Sequence, residues 1–125
     1  MQRNTTTSTI CALATAPGIG AIAVIRLSGP DAITICNKVF FGKDLNEVAS
    51  HTVHFGTIRA GDKLIDEVLV SVFKGEKSFT GENSIEISTH GSPYIQQQVI
   101  QLLLKNGAVQ AGPGEFTLRA FLNGK

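Results

Sequence analysis

The sequence predicts an α+β domain, close to the α/β class, in which about three helices pack against one mixed β-sheet. Segments with the two-residue period of strands alternate along the chain with segments that have the helical period of about 3.6 residues. Residues 61–62 (Gly-Asp) predict a tight turn between two strands, and a hairpin is an antiparallel pair. Helices between strands together with one hairpin predict a mixed sheet rather than an all-parallel one. At 125 residues the chain fits a single domain with one core.

The first two predicted strands flank a turn. Residues 10–14 predict a short strand, and residues 16–20 (Ala-Pro-Gly-Ile-Gly) predict a turn. Residues 21–27 are apolar on both faces, which predicts a strand with helices on one side and another layer on the other. Only Arg26 interrupts this run. Its guanidinium is expected either to reach water at the strand end or to pair with an anion or carboxylate.

A helix is predicted after this strand. It begins at residues 28–31 (Ser-Gly-Pro-Asp), where Pro suits an early helical position and Asp complements the helix dipole. Its buried stripe is made of apolar residues at helical spacing: Ala32, Ile35, Cys36, Val39 and Phe40. The helix is expected to end near residues 41–42, and residues 43–50 are expected to form a connection.

The hairpin consists of two longer strands, predicted at residues 51–60 and 64–74. The second strand carries Asp66 and Glu67 side by side. Because successive side chains of a strand point to opposite faces, these two carboxylates are poor candidates for a shared acid and base.

The stretch with the clearest functional pattern is the strand predicted at residues 84–90. Its alternation places Ile85, Ile87 and Thr89 on one face, suited to a core. The opposite face is polar and consists of Ser84, Glu86, Ser88 and His90. Residues 91–93 (Gly-Ser-Pro) end the strand and begin a helix, so the polar face is expected beside a helix N-terminus.

The remaining segments complete the pattern. The helix that begins at Pro93 has a buried stripe of Ile95, Val99, Leu102 and Leu103. It is expected to end at residues 106–107 (Asn-Gly), a pair suited to a left-handed cap. A short strand at residues 108–110, a turn at 112–114 and a helix at 115–122 follow.

Composition argues against several classes of function. Eleven Lys and Arg against ten Asp and Glu give a net charge of +1, which does not favour non-specific binding of nucleic acid through a basic surface. No apolar run reaches the roughly 20 residues of a membrane helix, and the N-terminus lacks the pattern of a signal peptide, so a cytoplasmic protein without a membrane partner is expected. Cys11 and Cys36 lie in apolar patterns without CxxC spacing, which favours buried, reduced thiols over a disulfide or a metal site.

Several chemical motifs are missing from the sequence. It contains neither GxxxxGK[ST] nor GxGxxG, and therefore no phosphate-binding loop of those types. His51, His54 and His90 lack zinc-ligand spacing, so no metal site is expected, and no GxSxG or Cys/His signature indicates a covalent nucleophile. No catalytic residue is therefore predicted in this chain.

The polar face of residues 84–90 provides the best candidate for binding. The two oxygens of Glu86 suit two parallel N–H donors of a planar heterocycle, although a solvated Glu on an exposed face is the plainer alternative. His90 is either a strand-end residue that bonds its own turn or a proton carrier.

Several segments together resemble the N-terminal domain of the tRNA-modification GTPases of the MnmE family, also called TrmE. In chain order they are APG (16–18), AVIRLSG (23–29), IDEVL (65–69), SFTGEN (78–83), Glu86, His90-Gly91 and PGEFTLRAFLNGK (113–125). The likeness extends from about residue 9 to the end of the chain, and the last segment is highly specific.

This resemblance implies a fold related to the tetrahydrofolate-binding domains of aminomethyltransferases. It implies a homodimer that binds 5-formyl- or 5,10-methylene-tetrahydrofolate. In such proteins a helical domain and a GTPase domain, which uses GTP, Mg and K, follow the N-terminal domain. With the FAD-containing partner MnmG, the whole protein modifies C5 of the wobble uridine of tRNA. Residues 1–8 are polar and rich in Thr without periodicity, which predicts a flexible leader. The resemblance makes residues 9–125 the folate-binding and dimerisation domain, and the chain a fragment that is not catalytic alone.

The resemblance assigns the folate contacts to Arg26, Glu86 and Lys125. The physical chemistry is compatible, because Glu86 can accept from the pterin N–H groups while Arg26 and Lys125 can face carbonyl or carboxylate oxygens. The sequence departs from the family at two loops. It has Ile19-Gly20-Ala21 where the family often has Arg-Gly-Gly, and Ser92 where the family has a second Gly after His-Gly.

Two other functions remain open. One is a dimerisation scaffold with an unused folate pocket, which only the changed loop at residues 19–21 favours. The other is a free-standing, folate-dependent relative of the aminomethyltransferases, against which the segment at 113–125 argues.

Overall fold

The computed structural model describes residues 8–15, 20–75 and 78–125. The elements in chain order are β1 (Ile10–Leu13), β2 (Ile22–Ser28), α1 (Ala32–Val39), β3 (Phe40–Phe41), β4 (Thr52–Ala60), β5 (Lys63–Phe73), β6 (Ser84–His90), α2 (Pro93–Lys105), β7 (Val109–Gln110) and α3 (Glu115–Leu122). The predicted turn at residues 16–20 lies mostly outside the described residues.

The strands of the described residues form one mixed sheet in the order β3-β4-β5-β6-β2-β1-β7. Strand β7 runs parallel to β1, and every other described pair is antiparallel. The predicted α+β class, the mixed sheet and the three helices are confirmed. The strand at 84–90 and the helix at 115–122 have the predicted bounds.

The core lies between one face of this sheet, called here the inner face, and helices α1 and α2. Ile25 pairs with Ile87, which pairs with Val70, so these inner-face residues form one row across three strands. All three are fully buried and belong to the same cluster as Cys36 of α1 and Val99 of α2. The alternation of apolar residues in each strand therefore fixes which face carries the helices.

The first helix is shorter than predicted. It ends at Val39, and Phe40 adopts an extended conformation and pairs with Ile58 of β4. Phe40 is still buried, because its ring packs against Gly56, where an added Cβ would lie 2.5 Å from ring atoms. The helical spacing of Phe40 thus identified a core residue but not its secondary structure.

The opposite face of the sheet, called here the outer face, is only partly covered. Ile22, Val53, Phe55 and Leu69 point to it and are 65, 60, 64 and 47 % exposed. Among the described residues, a second layer covers the end of β2 that carries Arg26 and Ser28, where Phe116 of α3 contacts Arg26. The expectation that residues 21–27 are covered on both faces is therefore wrong at Ile22 in the single chain. No helix among the described residues has the length and apolarity to span a bilayer.

The two cysteines are buried and free, as predicted. Burial raises the pKa of Cys11 to about 11 and that of Cys36 to about 12, because the interior disfavours the charged thiolate.

We expect neither thiol to react in the native chain. At pH 8 both groups stay protonated, so labelling with 5,5′-dithiobis(2-nitrobenzoic acid) should be at least ~100-fold slower than in the same chain unfolded in urea. Rapid labelling of either cysteine without urea would contradict this burial.

Candidate functional site

The centre of the candidate site is an ion pair on the outer face. Arg26 of β2 and Glu86 of β6 are direct cross-strand partners. Arg26 Nε and Nη2 donate to the same oxygen, Glu86 Oε2, over 3.0 and 2.9 Å. The side chains are 27 and 31 % exposed, so the pair is shielded but still reachable. Of the two alternatives for Arg26, the structure shows pairing with a carboxylate.

Two aromatic rings flank the guanidinium of Arg26. The ring centroids of Phe79 and Phe116 each lie 5.6 Å from Arg26 Cζ, within the range of a cation–π contact. Phe79 comes from the loop at residues 78–83, and Phe116 comes from α3. Sequence reasoning did not assign either ring to the site, although both lie in segments that carry the family resemblance.

Both members of the ion pair keep hydrogen-bonding capacity. Glu86 Oε1 and Arg26 Nη1 have no hydrogen bond to a described residue, since the pair uses Oε2, Nε and Nη2. A carboxylate oxygen can accept from a ligand N–H, and a guanidinium nitrogen can donate to a ligand oxygen. The arrangement therefore suits a flat ligand that presents a donor beside an acceptor.

Lys125 lies beside the same group of rings. A cavity of about 710 Å³ is lined by Phe79, Thr117, Ala120, Phe121, Gly124 and Lys125. The backbone N–H of Lys125 donates to the carbonyl of Ala120 over 2.8 Å, which fixes the chain at this position. Phe79 contacts Arg26 and also lines this cavity, so it connects Lys125 with the Arg26–Glu86 pair, although neither Arg26 nor Glu86 lines the cavity itself. The volume is in the range of small-molecule sites.

A buried polar network joins the segments that carry the two rings. The side chain of Arg119 in α3 is fully buried. Its Nη1 donates to Glu82 Oε1 and to the Ser8 carbonyl, both over 2.9 Å. Its Nη2 donates to Ser8 Oγ over 2.9 Å and to Glu115 Oε2 over 3.4 Å. Ser28 Oγ of β2 also donates to Glu82 Oε1, over 3.0 Å.

His90 at the end of β6 pairs with an aspartate that sequence reasoning had set aside. Asp66 Oδ1 lies 2.7 Å from His90 Nδ1, and Asp66 Oδ2 accepts the His90 backbone N–H over 2.9 Å. Asp66 is buried, whereas Glu67 is exposed, so the prediction that these neighbours face opposite ways is confirmed. These two contacts extend the association of β5 with β6 beyond Leu69 and Ser88, the last backbone partners at this end.

The two departures from the family lie at one close backbone contact. Gly20 N–H donates to the Gly91 carbonyl over 3.1 Å, and a Cβ on Gly91 would lie 1.8 Å from the Gly20 carbonyl oxygen. Ser92 directly precedes α2, and its side chain accepts from the backbone N–H of Ile95. Ser92 therefore has a structural role as an N-cap, while Ile19 lies outside the described residues.

No group of three or more His, Cys, Asp or Glu in the described ranges is placed to bind a metal ion.

We expect Asp66→Ala to lower the free energy of unfolding by about 1–3 kcal/mol, because it removes a buried carboxylate that accepts from both the backbone N–H and the ring of His90. The matched control is Glu67→Ala, which removes the neighbouring exposed carboxylate and should change stability by no more than about 0.5 kcal/mol. Urea unfolding measures both. Equal changes in the free energy of unfolding would show that the contacts of Asp66 with His90 do not stabilise the fold.

Comparison with known proteins agrees with the sequence resemblance. Residues 9–125 match the family described as GTP-binding protein TrmE N-terminus. The chain is 62 % identical over 120 residues to the tRNA modification GTPase MnmE of Flavobacterium psychrophilum, covering 94 % of this chain and 26 % of that protein. It is 59 % identical over 121 residues to that of Bacteroides fragilis, covering 94 % and 26 %, and 54 % identical over 117 residues to that of Lactococcus lactis, also covering 94 % and 26 %. The chain thus spans about a quarter of the length of these relatives. It belongs to the TrmE N-terminal domain family.

Proposed function

We propose that this chain is the tetrahydrofolate-binding and homodimerisation domain of a GTPase that modifies tRNA. Its relatives are named tRNA modification GTPase MnmE, and the chain matches their N-terminal quarter in sequence. The observation that carries the folate assignment is the Glu86 carboxylate, which is aimed by Arg26 and keeps Oε1 available beside two aromatic rings.

A pterin ring has the chemistry that this site accepts. Its amino group and ring N–H are parallel donors that can face the Glu86 carboxylate, and its carbonyl oxygen can face the free edge of Arg26. Phe79 and Phe116 provide flat apolar surfaces for the ring. Lys125 lines the cavity of about 710 Å³, and in this proposal its ammonium group binds a carbonyl or carboxylate further along the ligand. The ligand is 5-formyl- or 5,10-methylene-tetrahydrofolate, and the fold relationship to the aminomethyltransferase folate domains belongs to the same proposal.

The whole protein carries out chemistry that these 125 residues do not contain. It hydrolyses GTP with Mg and K in a separate domain, since this sequence has no GxxxxGK[ST] segment. Together with the FAD-dependent partner MnmG, it modifies C5 of the wobble uridine of tRNA in the cytoplasm. The role of this chain is to supply the bound one-carbon folate.

We expect the chain to bind 5-formyltetrahydrofolate in a calorimetric titration. Glu86→Ala removes the only acceptor proposed for the pterin N–H groups and should weaken binding by about 10- to 100-fold, as expected for charge-assisted hydrogen bonds. Glu47→Ala, at an exposed carboxylate in the connection before β4, is the matched control and should bind as the unaltered chain does.

Two results would contradict the folate assignment. If the unaltered chain does not bind, the scaffold with an unused pocket becomes the better description. If Glu86→Ala binds as tightly as the unaltered chain, folate binds elsewhere on the molecule.

The outer face provides the surface for a second copy of the chain. Phe55 of β4 and Leu69 of β5 are cross-strand partners, and Ile22 and Val53 extend the apolar surface along and across the sheet. A cavity of about 380 Å³ lies among Ile22, Phe55 and Leu69, and Glu67 is the only carboxylate that lines it. A contiguous apolar surface with so little charge favours association with an identical surface, because identical charges do not then oppose each other.

We expect the chain to sediment as a dimer, and Phe55→Glu should raise the dissociation constant of the dimer at least ~10-fold by placing a charge in a desolvated contact. The matched control is Tyr94→Glu on α2, where the side chain is 62 % exposed. This control should leave the dimer intact. If both variants dissociate the dimer, or if neither does, the outer face around Phe55 is not the dimer contact.

A further inference from the structure

The rings beside Arg26 belong to two segments that are distant in sequence. Phe79 lies in the loop at residues 78–83, and Phe116 lies on α3. Phe79 is 57 % exposed, so burial contributes little to its position. The buried side chain of Thr80 is hydrogen-bonded to Ser28 Oγ and holds the loop on β2, so a separate interaction is needed to place the loop against α3.

The Glu82–Arg119 ion pair provides this interaction. Glu82 is in the same loop as Phe79, and Arg119 is on the same helix as Phe116. Glu82 Oε1 accepts from Arg119 Nη1 over 2.9 Å and from Ser28 Oγ over 3.0 Å. One carboxylate oxygen therefore joins the loop, the helix and the strand that carries Arg26.

Further contacts support the same junction. Asn123 Nδ2, just after α3, donates to the Thr80 carbonyl in the loop over 2.9 Å. A Cβ on Gly81 would lie 2.7 Å from the Asn123 side chain, so loop and helix end are in close contact. Arg119 Nε is buried without a hydrogen-bond partner, which leaves the terminal nitrogens to make all of this guanidinium's bonds.

We propose that Glu82 and Arg119 are positioning residues for the Arg26–Glu86 site. They do not touch the ligand. Their ion pair sets the places of Phe79 and Phe116 around Arg26, and through these rings it sets the affinity for folate. This inference rests on the proposed folate function, but the placement of the rings can be measured without any ligand.

A second carboxylate on Arg119 provides a matched control. Glu115 Oε2 accepts from Arg119 Nη2 over 3.4 Å, and both residues lie on α3. Loss of Glu115 removes a carboxylate from the same guanidinium and the acceptor of the Gly112 backbone N–H, but it leaves the Glu82 contacts with Arg119 and Ser28 in place. A role limited to neutralising the buried charge of Arg119 would make the two carboxylates equivalent.

The test compares Glu82→Ala with Glu115→Ala by two measurements. The first is the NMR resonance of the Arg26 Nε–H, assigned by its loss in Arg26→Lys, which ring currents of the two flanking phenylalanines displace from its ordinary position. The second is calorimetric binding of 5-formyltetrahydrofolate. We expect Glu82→Ala to return the resonance toward its ordinary position and to weaken binding at least ~10-fold, and Glu115→Ala to leave the resonance in place and binding within ~3-fold.

Equal behaviour of the two variants in both measurements would overturn the proposal. If Glu82→Ala does not fold, Glu82→Gln and Glu115→Gln make the same comparison, because the Gln carbonyl at position 82 still accepts from Arg119 and Ser28 but without the charge. We then expect the resonance to move part of the way toward its ordinary position and binding to weaken at least ~3-fold for Glu82→Gln alone. If the unaltered chain binds no folate, the proposed function fails, and the Arg26 resonance alone decides the positioning role.

Discussion

The buried guanidinium of Arg119 is the group on which the outer layer of this domain depends. A charge removed from water must be matched by acceptors, and here they come from three parts of the chain: Ser8, Glu82 and Glu115. The contacts connect α3, the loop at 78–83 and the segment before β1. The layer formed by α1 and α2 on the inner face is held by apolar packing, because both helices bury apolar stripes against the sheet. Polar pairing therefore builds the side of the domain that carries the site, and apolar packing builds the other side.

Much of the inner layer could be predicted from local patterns. Strand β6 was predicted with its observed bounds, because strict alternation of Ile85 and Ile87 with polar residues is incompatible with a helix. Phe40 was misassigned because a residue at helical spacing can equally be the first residue of a strand whose side chain enters the same core. The choice depends on pairing with β4 and on the space above Gly56, which are tertiary features.

The site was less predictable, since its parts meet only through strand order. Glu86 could be selected from its own strand, but its partner lies 60 residues away in the chain, and no local pattern sets the register of β2 against β6. Arg26 and Lys125 came from the family resemblance rather than from spacing. Phe79 and Phe116 were missed as site residues, because an aromatic residue in a loop and another on a short amphipathic helix are common in any protein. Only the tertiary structure shows that both rings lie against the guanidinium of Arg26.

The Arg26–Glu86 pair also determines which ligands the site can favour. Because both Arg26 donors converge on one oxygen, the carboxylate is oriented before any ligand arrives, and binding does not have to immobilise it. A ligand that presents an acceptor to Glu86 Oε1 would face unrelieved repulsion, whereas an N–H donor would complete the carboxylate's hydrogen bonding. The same pair weakens the binding of a simple anion, since the positive charge of Arg26 is already partly neutralised by Glu86. This geometry suits a flat molecule with adjacent donor and acceptor groups, and the rings of Phe79 and Phe116 provide flat apolar surfaces beside the pair.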